Sequence, residues 1–326
     1  MNFFNALFGQ NKGKPQKAPV VKQLYSRSAA EVRQDNSLVS LYGAGGREII
    51  MESNQWRTEV LPFNIKKKND DPEGLSQLIL TAMRDGFYED ILKASERLHD
   101  IDTSPVRGVA LYAIALMETE KLKEAEKVIK KALSDHGDTG SLLTLLARVY
   151  SKGNQKKKSD EALLQALYCD PNQANAVEWL GVKTLEESGE KSFLKAMKRI
   201  SGIEGAWRPY IWLGSFELIS GNKESAISYY KKAIRKANPL PADGATKISG
   251  DLGKAGCSAE VVELFTPSFD SALWGILTGS NVVGACVLEG KKDEALRIIS
   301  ILEKQQQPQW DEHLSYLREL VKSMGN

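Results

Sequence analysis

Residues 122–133 read LKEAEKVIKKAL, which puts Ala125, Ile129 and Ala132 on one face of a helix. The arrangement returns as SDEALLQAL at 159–167, SAISYYKKAI at 225–234 and EALRIISIL at 294–302. Each copy has a small residue, an apolar one four later, and a small or apolar one three after that. The leading residues are Ala125, Ser159, Ala226 and Ala295, separated by 34, 67 and 69 positions. One period of 34 and two near-doubles of it mark an internal repeat. Ahead of each copy stands a second apolar-plus-small pair: Tyr112-Ala113, Leu146-Ala147, Leu213-Gly214 and Val282-Val283. Leu180-Gly181 falls in the gap at the expected place. Each period therefore predicts two helices. Small residues let the two axes approach, and larger ones fill the space between. One such hairpin buries too little apolar area to offset its ordering entropy, whereas stacked copies share a continuous core.

Leu143, Leu146, Ala147, Tyr150, Ser159, Leu163, Ala166 and Pro171 together resemble the tetratricopeptide-repeat (TPR) family. That family's pattern runs Trp-x2-Leu-Gly-x2-Tyr, then Ala-x3-Phe, then Ala-x4-Pro. The resemblance implies an all-α, helical-hairpin solenoid of about seven repeats over residues 72–309. The repeats begin near residues 72, 106, 140, 174, 207, 241 and 276. Turn signals separate their helices: Asp85-Gly86, Gly153-Asn154, Ser188-Gly189, Ser220-Gly221-Asn222 and Glu289-Gly290. Residues 310–326 read as a capping helix. Trp310, Leu314, Leu317, Leu320 and Val321 form its apolar stripe, opposite Asp311, Glu312, Arg318 and Glu319.

Two repeats depart from the pattern. Near 174, Phe193 stands where a small residue is expected, and the second helix ends early at Ser201-Gly202. Near 241, Gly244, Gly250, Gly253 and Gly256 follow Pro239 and Pro241. A glycine inside a helix costs ~1 kcal/mol relative to alanine. A local weakness or bend is expected there.

The first 71 residues lie outside the repeat. Residues 1–23 read as a flexible basic segment, with Lys12, Lys14, Lys17 and Lys22 and no acid. Residues 24–71 read as a small α+β module. Leu38–Tyr42 and Arg47–Met51 flank Gly43–Gly46, a β-hairpin signal. Residues 53–61 then read as a short helix stopped by Pro62. Such a module is expected to cap the open end of the repeat array.

The formal net charge of the 326 residues is +2, which gives no reason to expect nucleic acid as a partner. Lys156–Lys158 is placed in a turn, among acids. The three cysteines, Cys169, Cys257 and Cys286, are far apart and fit neither a disulfide framework nor a zinc site. No apolar run reaches the ~18 residues of a membrane span, and the first residues lack the features of a secretory leader. A cytoplasmic location is expected. HExxH, GxSxG and phosphate-loop patterns are absent, so neither catalysis nor a cofactor or metal is expected. His99 closes a helix, where a cation suits the dipole.

The resemblance implies a protein or peptide partner, held in a concave groove lined by the first helix of each repeat. The family's clamp for acidic chaperone tails uses Lys and Asn at the fifth and ninth positions of one repeat. Here those positions hold Ala110 and Ile114, Thr144 and Arg148, Glu178 and Val182, and Ile211 and Ser215. The clamp is missing. The sixth positions include Trp179 and Trp212, which form an aromatic ledge or else pack between repeats. Trp179, Trp212, Arg148, Thr144, Asn175, Glu178, Arg208 and Ser215 are the candidate groove residues, for a non-catalytic adaptor or scaffold. The alternative is an assembly factor tethered at a membrane by Phe3, Phe4, Leu7 and Phe8 and the lysines that follow.

Overall fold

A computed structural model describes residues 38–42 and 48–324. The basic segment 1–23, residues 24–37 and the turn 43–46 lie outside the described residues, as do Phe3, Phe4, Leu7 and Phe8. The fold is all-α apart from one hairpin. Strands β1 (Leu38–Tyr42) and β2 (Glu48–Glu52) pair antiparallel, with Leu38 opposite Glu52 and Tyr42 opposite Glu48.

Helical turns at Ser53–Gln55 and Trp56–Val60 lead into α1 (Leu61–Lys67). Pro62 does not stop the helix, contrary to the sequence expectation. The Trp56–Val60 turn is π-type, and the Leu61 amide bonds back to the Trp56 carbonyl. That wider turn admits the proline ring, and a missing N–H costs little at a first helical turn. Trp56 and Leu61, each 1% exposed, join Leu75, Ile79 and Ile91 in one core. Arg57 reaches Asp90 at 2.8 Å and lies over the Phe87 ring. The module therefore packs on the first helical hairpin.

The hairpins that follow are α2 (Pro72–Arg84) with α3 (Tyr88–Ile101), α4 (Pro105–Glu118) with α5 (Leu122–His136), and α6 (Gly140–Lys152) with α7 (Lys156–Cys169). The chain divides into two compact units inside α7, at Ala166 and Leu167. Lys156–Lys158 forms the first turn of α7 rather than a loop. The second unit continues with α8 (Ala174–Ser201), α9 (Arg208–Ile219) and α10 (Lys223–Ala237). Then come α11 (Ala242–Lys254), α12 (Ser258–Phe265), α13 (Ser271–Leu288), α14 (Lys292–Glu303) and α15 (Asp311–Lys322).

One backbone device recurs with the sequence period. A residue of positive φ stands in the hairpin turn at Gly86, Glu120, Asn154, Gly189, Gly221, Gly256 and Gly290. At six of these seven the next amide returns to a carbonyl five residues back, as in Phe87 to Ala82 (3.0 Å), Lys121 to Leu116 (2.8 Å) and Gln155 to Tyr150 (2.8 Å). The set is completed by Asn222 to Glu217, Cys257 to Leu252 and Lys291 to Cys286. This left-handed stop satisfies end carbonyls and turns the chain at the same place in each hairpin. At Gly189 the turn is compressed to a kink inside α8, with φ 76°.

The irregular repeats are accommodated by exchange of volume. Phe193 is 2% exposed, and a methyl at Gly181 would lie 3.4 Å from its ring. Glycine on one helix makes room for the large residue on the other. No bend occurs in the glycine-rich repeat, contrary to expectation. Its α11 has helical dihedrals throughout, and Ala245, Ile248 and Leu252 are fully buried. A Cβ at Gly244 would come within 2.9 Å of Leu240 and 3.1 Å of Trp207, so glycine there permits close packing. One apolar core runs without interruption from Trp207 to Val321. A second kink lies instead at Gly275, in α13. This uncharged 18-residue helix is long and apolar enough to cross a membrane, which the sequence reading overlooked. Its Trp274, Val282, Val283 and Cys286 are built into the core. The α15 helix buries Leu314, Leu317 and Val321, the expected capping stripe.

Candidate functional site

In the first unit, the first helices of the hairpins, α2, α4 and α6, lie side by side. Arg107 ties α4 to α2. It bonds the buried Asp102 twice, at 2.9 Å each, and reaches Glu73 on α2. Those hydrogen bonds are the main reason the Asp102 carboxyl is held below the usual carboxylate range. One level on, Glu118 takes Lys152 at 3.1 Å, with the exposed Arg148 at 3.9 Å. Arg148 is therefore open to a partner, although its charge is partly answered. Thr144 is 3% exposed and its hydroxyl bonds the Gly140 carbonyl at 2.6 Å. It is removed from the candidate groove, because a small polar side chain in a helix is satisfied locally.

In the second unit α9, α11 and α13 lie side by side in the same way, with α8 against α9. Asn172 fastens the start of α9. Its Oδ1 accepts from the amides of Trp207 (2.7 Å) and Arg208 (2.9 Å), and its Nδ2 donates to the Gly205 carbonyl. Arg208 donates in turn to the Asn172 carbonyl at 2.6 Å, pairs with Asp243 at 2.6 Å, and lies 4.4 Å over the Trp207 ring. Its Nε, its Nη1 and its planar face are thus engaged in joining elements, so Arg208 serves the fold. Ser215 is 6% exposed and donates to Asp251 at 2.6 Å. It too is a core group, not a groove group.

Asp251 is the centre of a buried network. It accepts from Ser215, from the Tyr230 phenol (3.0 Å) and from Lys247 (2.5 Å). Burial first, and then the Asp251 charge, raises the Tyr230 phenol far above its ordinary value. Beside it runs a seam of uncharged polar groups. The Thr246 and Thr278 hydroxyls are 2.8 Å apart, and the Asn281 amide donates to the Ser249 hydroxyl at 3.0 Å. Thr246 and Asn281 occupy the sixth positions of their repeats, equivalent to Trp179 and Trp212. Extending the sixth-position count by two repeats identifies them in the sequence.

Trp179 and Trp212 are both half-buried, and Asn175 and Glu178 beside Trp179 are exposed. A methyl at Gly181 would lie 3.5 Å from Trp212 Cε3, so that indole covers the junction of α8 with α9. It packs between repeats and retains an open side. The face thus offers two partly open indoles next to a neutral polar seam, with Arg208–Asp243 and Lys247–Asp251 closed as pairs. Among the described residues no group of three metal-type ligands is present.

The family model described as Tetratricopeptide repeat matches residues 140–173 and 208–235. Tetratricopeptide repeats are present in these two segments. No curated protein is significantly similar to this TPR chain. Among solved structures, a tetratricopeptide repeat protein from Parabacteroides merdae is 15% identical. That match covers 77% of this chain and 98% of that one, at a TM-score of 0.33. Yeast Tom70 is 12% identical over 83% of this chain and 59% of its own, at a TM-score of 0.46. YrrB, described as a TPR protein with an unusual peptide-binding site, is 20% identical over 56% of this chain and 94% of its own, at 0.32. At these values no partner or groove passes from those proteins to this TPR chain.

Proposed function

We propose that this TPR protein is an adaptor or scaffold that holds a protein segment on the first-helix face of its second unit, around Trp179 and Trp212. The observation that carries the reading is the pair of half-buried indoles at equivalent repeat positions, flanked by exposed Asn175 and Glu178. Indoles that are partly packed before binding lose little freedom on contact, and they contribute strongly to interfaces. Arg208 and Lys247 of this face are already paired with Asp243 and Asp251, which favours a ligand recognised mainly by apolar and amide contacts over a strongly acidic one. Crosslinking and pull-down from the native cell, comparing wild type with Trp179→Ala/Trp212→Ala, tests the proposal. Loss of captured partners with helicity retained supports it. Unchanged capture refutes it.

A second reading, a membrane-associated assembly factor, is favoured by Phe63, which is 67% exposed on α1 beside the exposed Lys66 and Lys67. Sedimentation with phosphatidylserine-containing vesicles tests it. Equal sedimentation of wild type and Phe63→Ser/Lys66→Gln/Lys67→Gln would remove α1 from the contact.

A further inference from the structure

Residues 191–236 hold ten Lys and Arg against three acids, although the whole chain carries only +2. Most of that surplus stands on two helices of the second unit. In the arm of α8 beyond the Gly189 kink, Phe193, Met197 and Ile200 are buried, while Lys191, Lys195, Lys198 and Arg199 are exposed. In α10, Ala226, Tyr230 and Ala233 are buried, while Lys232, Arg235 and Lys236 are exposed. Both helices pack on α9. The Phe193 ring lies 5.1 Å from that of Phe216, and the Tyr229 ring 6.3 Å from that of Tyr210. The two cationic faces therefore belong to successive second helices and point away from their shared neighbour.

Elsewhere in the chain a helix cation commonly meets an acid three or four positions away, as in Lys130 with Glu126 (2.7 Å), Lys131 with Asp135 (2.5 Å) and Arg297 with Glu294 (2.8 Å). On these two faces the neighbours at that spacing are cations: Lys191 with Lys195, Lys195 with Lys198 and Arg199, Lys232 with Arg235 and Lys236. Like charges so placed weaken a helix. Among the described residues none of these seven cations forms an ion pair, and the acids flanking them in sequence, Glu190, Glu204 and Glu224, form none either. Glu263 is taken by Lys231 at 2.7 Å, and Glu217 by Asn222 at 2.8 Å. Three of the seven are instead held over tyrosine rings: Arg199 over Tyr168 (5.7 Å), Lys232 over Tyr229 (5.4 Å) and Lys236 over Tyr210 (6.0 Å). A ring positions a cation without neutralising it. The charges are thus partly fixed in place and left without counter-charge.

We infer that these two faces are a docking surface for an acidic polypeptide segment, rich in Asp and Glu, which would supply the counter-charge. Each of the three tyrosine rings already carries a cation, which disfavours the base stacking that a single-stranded nucleic acid uses. None of the large exposed apolar side chains lies on these faces, which leaves a lipid surface nothing to receive. The surface is on second helices, whereas Trp179 and Trp212 are on first helices, and it does not depend on the function proposed for them. Binding through exposed charges is weakened by salt.

The test uses the full chain and a fluorescein-labelled decaglutamate peptide followed by polarisation. Lys191→Gln/Lys195→Gln/Lys198→Gln on α8 and Lys232→Gln/Arg235→Gln/Lys236→Gln on α10 are each expected to weaken binding by about tenfold, and their combination to abolish it. The same six positions filled entirely with arginine are expected to keep it. Trp179→Ala/Trp212→Ala is expected to leave it unchanged. Equal affinity of wild type and the combined glutamine variant, with circular dichroism showing both folded, overturns the surface, as does failure of the wild type to bind the peptide at low salt. Oligo-deoxythymidylate of equal charge and phosphatidylserine vesicles are measured alongside. Tighter binding of either than of decaglutamate, lost in the same variants, overturns the assignment to a polypeptide.

Discussion

Gly214 and Gly284 are both inside helices of the second unit, yet they should respond to alanine with opposite signs. A Cβ at Gly214 would lie 2.6 Å and 2.7 Å from Tyr230 Cε1 and Cδ1. The ring has no room to retreat, since it is fully buried and its phenol is held by Asp251 at 3.0 Å. Overpacking of this kind costs ~3 kcal/mol at the upper end, and the better helix propensity of alanine returns ~1 kcal/mol. Gly214→Ala should therefore destabilise by about 2 kcal/mol. At Gly284 nothing lies within 4 Å of the added carbon. Only propensity changes there, so Gly284→Ala should stabilise by up to ~1 kcal/mol. Urea unfolding followed by helical circular dichroism gives both values, as shifts of midpoint at constant slope. Releasing the ring tests the tether: in a Tyr230→Phe background, the penalty of Gly214→Ala should shrink. Shifts of the same sign for the two glycines would refute the packing argument. A penalty unchanged in the Tyr230→Phe background would refute the role given to the phenol.

Two further outcomes follow from the turns and the ion pairs. Glu120 holds φ 61° in a turn where five of the other six equivalent positions are glycine. Glu120→Gly should stabilise by about 1 kcal/mol through relief of that conformation, even though it removes an exposed pair with Lys152, and a lower urea midpoint would contradict this. Asp102 has its folded pKa depressed by Arg107, so its contribution is complete above the unfolded value of about 4 and is lost as pH falls through the folded value. The stability gap between wild type and Asp102→Asn should be constant from pH 7 to pH 5 and shrink below about pH 4; a gap that persists undiminished to pH 3 rules this out.

The period, the helix pairs and most turns were legible in the sequence, because they follow from local rules. A small residue at a fixed place, an apolar face of helical spacing and a glycine or asparagine after most first helices act within one hairpin. Pro62 was misread because a π-turn ahead of it changes the backbone register that usually makes proline a stop. The bend expected from the glycines near 241 does not form, and composition does not reveal that Gly244 faces Leu240 and Trp207.

The site divided along the same line. Repeat phase by itself placed Trp179 and Trp212 at equivalent positions of adjacent repeats. It placed Thr144, Arg208 and Ser215 on the same face with equal weight. Only the tertiary structure separated them: Thr144 is buried with its hydroxyl on its own helix, and the partners of Arg208 and Ser215 are remote. Arg208 finds Asn172 and Asp243, and Ser215 finds Asp251, each about one repeat away in sequence. A periodic pattern fixes which face a side chain leaves from. Whether it ends in water or in the next repeat depends on the atoms that the neighbouring helix brings.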